Sequence, residues 1–149
     1  MNNYFLQSGH IFVSGEPYLI QTVLGSCIAV CIWDKEEKIG AMNHYLLPRA
    51  NNNLRTANFG DVSIPYLIRM LKQFGSDERD WEISVFGGAS SKTVNSDVGS
   101  KNIQVALEYF SAKNLKIKRI ETGGQFGRKI YFDNTTGEIE VNLLNSMNQ

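Results

Sequence analysis

Residues 22–48, TVLGSCIAVCIWDKEEKIGAMNHYLLP, decide the fold. Residues 28–33 are rich in β-branched and aromatic side chains, and residues 40–47 read as a second strand. The charged stretch 34–38 lies between them as a loop. A tight reversal at Lys35-Glu36 pairs Asp34 with Glu37 and Trp33 with Lys38 and, carried outward, sets Cys27 opposite His44. Residues directly opposite on antiparallel strands have Cα atoms roughly 4.5–5.5 Å apart and share a face. This hairpin therefore places a thiol beside an imidazole, the arrangement that turns cysteine into a nucleophile. A loop of another length shifts the pairing, and an odd shift puts the two side chains on opposite faces.

Outward from the hairpin, residues 4–13 read as a first strand, Gly15-Glu16-Pro17 as a turn, and residues 18–24 as a strand ending at Gly25-Ser26. The polar, Asn-rich stretch 49–58 reads as a surface loop bordering whatever His44 faces. A helix is predicted over 61–74, with Asp61 as N-cap, Pro65 early enough to be tolerated, and Gly75 as the stop. Its apolar stripe is Ile64, Leu67, Ile68, Leu71 and Phe74. A strand over 81–86 runs into Gly87-Gly88-Ala89-Ser90, and a second helix spans 100–113. Strands over 115–121 and 128–132 are separated by a second glycine-rich loop, and DNTTG at 133–137 is a hairpin turn before a last strand near 138–143. The order of strands, helix, strand, helix, strands makes an α/β or α+β layered domain whose helices cover a sheet.

The chain has 149 residues, which suits one domain, and a chain of this length buries about 68–70% of its unfolded surface. Lysine plus arginine and aspartate plus glutamate each total 15, so the formal charge is zero. Nucleic-acid binders carry a basic excess or stripe, and none is visible, which argues for no nucleic-acid partner. Neutrality also argues against electrostatic attachment to anionic membranes. The N-terminal stretch lacks a basic region followed by a sustained apolar one, so a signal peptide is not expected. The longest apolar run, 28–33, is far short of the roughly 20 residues of a membrane span, and a cytoplasmic location is the default expectation.

The chain holds two cysteines and two histidines. Cys27 and Cys31 on one extended strand share a face but lie about 13 Å apart at ~3.3 Å per residue. Disulfide formation needs Cα atoms within about 7 Å, and one zinc cannot reach both sulfurs at about 2.3 Å. No recognisable zinc spacing is present. Cys31, between Val30 and Ile32, reads as a small buried hydrophobe. Cys27 follows Gly25-Ser26 directly, so a sharp bend can present its sulfur at a pocket rim, with nearby backbone N–H groups to meet an oxyanion. The competing reading is a buried cysteine beside a turn. Thr22 or Gln21 could supply a third polar group that orients the His44 ring. His10 has no visible partner and reads as structural or exposed. The loops at Gly87-Gly88 and Gly123-Gly124 match no phosphate-binding pattern and read as glycines that let two loops approach one pocket. Asp97, Glu121 and Arg128 are candidate site charges, with a solvated surface role the stronger reading for each.

Several motifs carry a resemblance across nearly the whole chain. They are Leu24-Gly25-Ser26-Cys27 with its apolar strand and Asp34, Gly40-Ala41-Met42-Asn43-His44 through Leu47-Pro48, and Gly87-Gly88-Ala89. They continue with Gly99 and Lys101-Asn102-Ile103, Thr122-Gly123-Gly124, Gly127-Arg128-Lys129 and Thr136-Gly137. In these the chain resembles the chemoreceptor glutamine deamidase family, CheD. The resemblance implies a single α+β domain, 1–149, built as a layered α-β-β sandwich related to the cytotoxic-necrotising-factor deamidases. It implies a catalytic Cys27, its histidine His44 and a third catalytic residue at Thr22, with Gln21 preceding it. Gly25 and Ser26 would support the oxyanion, and Phe126 is a candidate anchor for substrate. The implied reaction hydrolyses receptor glutamine to glutamate and ammonia through a thioester, without cofactor. The implied partners are the cytoplasmic helices of methyl-accepting chemotaxis receptors and a CheC-type phosphatase. An alternative is an adaptor that docks on that phosphatase or on receptors with little catalysis; a further one is another thiol hydrolase, an amidase or a protease.

Overall fold

The computed structural model describes residues 1–52, 54–91 and 96–145. Among these, the chain forms the strands β1 (Asn2–Phe5), β2 (Ile11–Ser14), β3 (Tyr18–Leu24), β4 (Ile28–Asp34) and β5 (Ile39–Asn43), then the helix α1 (Gly60–Gln73). The strand β6 (Trp81–Gly87), the helix α2 (Val98–Ala112) and the strands β7 (Ile117–Thr122), β8 (Arg128–Asp133) and β9 (Ile139–Leu143) follow. The strands make two mixed sheets, a four-stranded one in the order β1-β3-β8-β9 and a five-stranded one in the order β2-β5-β4-β6-β7. This is an α+β fold.

Every residue of β4 is buried, as befits a central strand covered on both faces. Its alternation assigns the faces. Ile28, Val30 and Ile32 pack with Ile64, Leu67 and Leu71 of α1 and with Val105, Ala106 and Phe110 of α2. Cys27, Ala29, Cys31 and Trp33 pack with Ile20 and Leu24 of β3 and Ile130 and Phe132 of β8. The five-stranded sheet thus lies between the helices and the four-stranded sheet, with one apolar core on each side. Each fully buried aliphatic or aromatic side chain in these cores contributes about 1.5–3 kcal/mol.

The hairpin closes in a different register from the predicted one. Asp34 pairs with Ile39, Trp33 with Gly40 and Cys31 with Met42. The turn is therefore wider, at 35–38, because the Asp34 carboxylate accepts the backbone N–H groups of Glu36 and Glu37 at 3.0 and 2.9 Å. Its other oxygen accepts from Ser76 Oγ at 2.5 Å. The shift is by two residues, so it preserves the face of every side chain.

Three other expectations change. The predicted first strand is two strands in different sheets, separated by a turn at Ser8-Gly9, with Gly9 at φ 80°. Helix α1 is capped by Phe59 without a side-chain hydrogen bond, and Asp61 lies inside the first turn, where it accepts the Ala50 N–H at 3.0 Å. The orphan amides are met by main chain instead: Gly60 N–H by the Leu47 carbonyl and Asp61 N–H by the Pro48 carbonyl. Pro65 then falls in the second turn, where its ring nitrogen has no hydrogen for the Asp61 carbonyl. The surface reading of 49–58 includes Asn53, which lies outside the described residues.

Candidate active site

The site is assembled where both sheets end. On β3, Ile20, Thr22 and Leu24 face inward and are fully buried. The Thr22 hydroxyl donates to the Leu6 carbonyl at 2.8 Å and lies 2.7 Å from His44 Nδ1. A hydroxyl carries one hydrogen. With that hydrogen given to Leu6, Nδ1 must donate to Thr22 Oγ1, so the imidazole carries its proton on Nδ1 and a lone pair on Nε2. Nε2 is buried and has no hydrogen-bond partner among the described residues. Burial pushes the His44 pKa down to about 4, which keeps the ring neutral at pH 7. Gln21, on the opposite face of β3, donates from Nε2 to the Asn3 side chain at 3.3 Å instead.

His44 and Cys27 both sit just outside the regular ladder. The ladder from Asp34 to Cys31 breaks at Asn43, whose side-chain oxygen accepts the Val30 N–H at 2.7 Å while its amide donates to Ser63 of α1. Pairing resumes once, at Ile28 and Tyr45, which exchange two hydrogen bonds of 3.1 and 3.0 Å. Cys27 precedes Ile28 and His44 precedes Tyr45, so the two lie diagonally across this bridge rather than directly opposite. Diagonal positions on one face are roughly 7–8 Å apart at Cα and within reach of longer side chains. Cys27 packs in the inter-sheet core and His44 meets the inward Thr22 of β3, whereas Ile28 and Tyr45 pack on the helix side. The predicted direct opposition of Cys27 and His44 is therefore replaced by a diagonal placement, and His44 Nε2 has no hydrogen-bond partner among the described residues.

Three loops frame Cys27. The Gly88 N–H donates to the Cys27 carbonyl at 2.9 Å and the Ala89 N–H to the Gly25 carbonyl at 3.0 Å. Gly87 has φ 110°, and a Cβ there would stand 2.1 Å from the Cys27 carbonyl oxygen, so only glycine permits this approach. The second glycine-rich loop joins through Gly123 N–H to the Gly87 carbonyl at 2.9 Å and Ser90 N–H to the Gly124 carbonyl at 2.8 Å. The two glycine pairs do bring their loops together. Arg128 is a correction: it is 8% exposed, and its guanidinium donates to the carbonyls of Gly87 and Gly123 at 3.3 and 2.9 Å. Burial lowers its pKa, opposed by Glu121. Asp97 stays on the surface, paired with Lys101 at 3.2 Å, and Glu121 pairs with Arg119. Ser26 contributes its carbonyl rather than its hydroxyl, accepting from Asn102 at 2.9 Å. Phe126 is 43% exposed on the 123–127 loop, and His10 is exposed.

Cys27 and His44 are 1% and 3% exposed, and Cys31 is equally buried, with its thiol pKa pushed up by burial and lowered only in part by Arg119. Beside His44 opens a cleft of about 360 Å³ lined by Phe5, Leu6, Gln7, Thr22 and Val23. No helix among the described residues is long and apolar enough to cross a membrane. The arrangement can do one kind of chemistry well: a neutral imidazole, held in one tautomer by a buried hydroxyl, faces a layer that also holds a thiol.

These features define an α+β protein with a cysteine and an oriented histidine at the rim of two sheets. The profile described as "CheD chemotactic sensory transduction" matches residues 46–143. A protein of Sulfurimonas denitrificans named "Probable chemoreceptor glutamine deamidase CheD" is 41% identical over 91% of this chain and 90% of its own length. Proteins of the same name from Rhodospirillum rubrum and Trichlorobacter lovleyi are each 33% identical, over 95% and 100% of this chain and 82% and 95% of their own lengths. The chain belongs to the CheD family. Thr22, Cys27 and His44 precede the stretch that the profile matches, whereas the pairwise similarities span nearly all of the chain.

Proposed function

We propose that this chain is a chemoreceptor glutamine deamidase working through Cys27, His44 and Thr22. The observation that carries the reading is the Leu6–Thr22–His44 hydrogen-bond chain, which leaves Nε2 as a base on the face shared with Cys27. The names of the relatives supply the substrate class.

His44 Nε2 takes the Cys27 proton as the sulfur bonds to the amide carbon of a glutamine side chain. Backbone N–H groups of the 25–27 turn and its neighbouring loops stabilise the oxyanion. The C–N bond then breaks, and the proton on Nε2 goes to the departing nitrogen, releasing ammonia. Water adds to the thioester, giving its proton to Nε2; the C–S bond breaks, the sulfur regains a proton, and glutamate remains. Thr22 keeps the ring in the required tautomer and stabilises the imidazolium formed on the way.

Burial favours a side-chain substrate. A thiol and imidazole recessed this far are reached by the unbranched arm of glutamine more readily than by a peptide main chain, which supports deamidation over proteolysis. The substrates would be cytoplasmic helices of methyl-accepting receptors, and the protein would then act in the cytoplasm. A CheC-type phosphatase is proposed as a partner from the family resemblance. The two-core layering supports the α-β-β sandwich of the cytotoxic-necrotising-factor type.

Mass spectrometry of a receptor cytoplasmic fragment tests the reading. Incubation should convert defined glutamines to glutamate, with the mass change of NH2 replaced by OH and one ammonia released for each. Cys27→Ala should abolish both. Peptide-bond cleavage, or full activity of Cys27→Ala, would refute the proposal.

A further inference from the structure

Two buried side-chain acceptors have no hydrogen-bond partner among the described residues: His44 Nε2 and Asn102 Oδ1. The first is the base of the mechanism. The second belongs to a side chain that the mechanism does not use.

Asn102 lies on α2 and is fully buried. Its amide nitrogen donates to the Ser26 carbonyl and to the Leu46 carbonyl, each at 2.9 Å. Its main-chain carbonyl accepts the Tyr45 hydroxyl at 2.6 Å. Ser26 immediately precedes Cys27, and Tyr45 and Leu46 immediately follow His44. The backbone ladder between the two segments ends at Ile28 and Tyr45. Beyond it, at Ser26 on one side and Leu46 on the other, the two hydrogens of one amide group take its place. Close docking of α2 makes this reach available: a Cβ on Gly99 would stand 2.5 Å from the Ala89 carbonyl oxygen. Leaving Oδ1 unpaired is destabilising. An apolar side chain would avoid that cost but could not hold two carbonyls. A local rule broken beside a site of chemistry is where a functional constraint is expected.

We propose that Asn102 is a positioning residue: by clamping the carbonyls of Ser26 and Leu46 it fixes the spacing of the Cys27 turn from the His44 segment. The inference rests on the thiol–imidazole reading above. It predicts a defect in the reacting geometry rather than in substrate binding or in folding alone. A displacement near 1 Å can cost about 10²-fold in rate.

The experiment measures kcat and KM on a receptor cytoplasmic fragment, and the pH dependence of Cys27 alkylation by iodoacetamide. In Asn102→Ala, kcat should fall by roughly 10–10²-fold with KM little changed, and the alkylation profile should move toward that of His44→Ala. Asn102→Ser, which keeps one donor, should recover part of both. Leu67→Ala, in the core beneath α1, should lower the melting temperature and leave the profile as in the wild type. If Asn102→Ala does not fold, Tyr45→Phe, which removes only the hydroxyl that steadies the Asn102 backbone, should show the same shift in weaker form. A wild-type kcat and alkylation profile in a folded Asn102→Ala or Tyr45→Phe overturns the proposal. So does a loss of activity that merely tracks melting temperature, as in Leu67→Ala. If Cys27→Ala is inactive while these variants behave as wild type, only the positioning role falls. If Cys27→Ala still releases ammonia, the thiol reading falls and takes this inference with it.

Discussion

At the scale of single residues, the proposed chemistry depends on the single hydrogen of the Thr22 hydroxyl. The Thr22 hydroxyl gives its proton to Leu6 and so obliges His44 Nδ1 to keep its own. Thr22→Val preserves shape but leaves the Leu6 carbonyl and His44 Nδ1 without that partner. We expect kcat to fall on the order of 10–10²-fold, with Thr22→Ser close to wild type, measured as ammonia release. The buried imidazole also makes stability depend on pH. Its folded pKa, about 4, is depressed below the ordinary value of 6.5, so between those values the unfolded chain binds the extra proton. The stability is fully present above pH 6.5 and is lost as pH falls through 4, by up to about 3 kcal/mol. Chemical denaturation of the wild type and His44→Gln at pH 7 and pH 4 checks this: the variant should lose less stability on acidification. Thr22 and Gln21 could not be separated by spacing alone. The alternation of β3 separates them, since Thr22 shares the inward face of Ile20 and Leu24 while Gln21 turns outward to Asn3.

At the scale of elements, apolar alternation and glycines made the strands and helices readable, while their register and junctions were not. The hairpin register depends on a carboxylate, Asp34, that widens the turn by holding two amides, and no apolar pattern encodes that choice. The split of the first strand was signalled by Gly9, but the opposite sheet assignments of β1 and β2 arise from pairing with β3 and β5, which are distant in sequence. In sequence, Arg128 reads as a candidate site charge with a surface role preferred, and Asn102 is given no role, because a charge in a strand and an amide on a helix ordinarily mean a solvated face. Their carbonyl partners come from loops that meet only in the folded chain. Gly87 offers a direct test at the end of β6. Gly87→Ala combines φ 110° with a Cβ driven into the Cys27 carbonyl. We expect a destabilisation of about 2–4 kcal/mol, read from urea unfolding. Activity should fall even where the variant remains folded, because the displaced atom belongs to the proposed nucleophile's own backbone.

At the scale of the whole molecule, the two sheets carry different parts of the proposed machinery. Thr22 comes from the four-stranded sheet, Cys27 and His44 from the segments flanking β4 and β5 of the five-stranded one. The core of Leu24, Ile130, Phe132, Met42 and Phe86 between the sheets therefore sets how Thr22 meets His44. The groups that would react lie inside this frame, so the proposed receptor helix would dock on the rim while a single side chain enters. Phe126 is a half-exposed aromatic on the loop that Gly123 and Gly124 fasten to the Cys27 side of the site. Such a side chain can bind a partner without touching the reacting atoms. If it anchors the receptor helix, Phe126→Ala should raise KM for a receptor fragment by about tenfold, the scale of one interfacial aromatic worth 1–2 kcal/mol. The kcat at saturating fragment, the melting temperature and the rate of Cys27 alkylation should stay as in the wild type. The separation of the two constants is the point of the measurement: an equal fall in kcat would place Phe126 in the support of the site, and an unchanged KM would remove it from the docking surface.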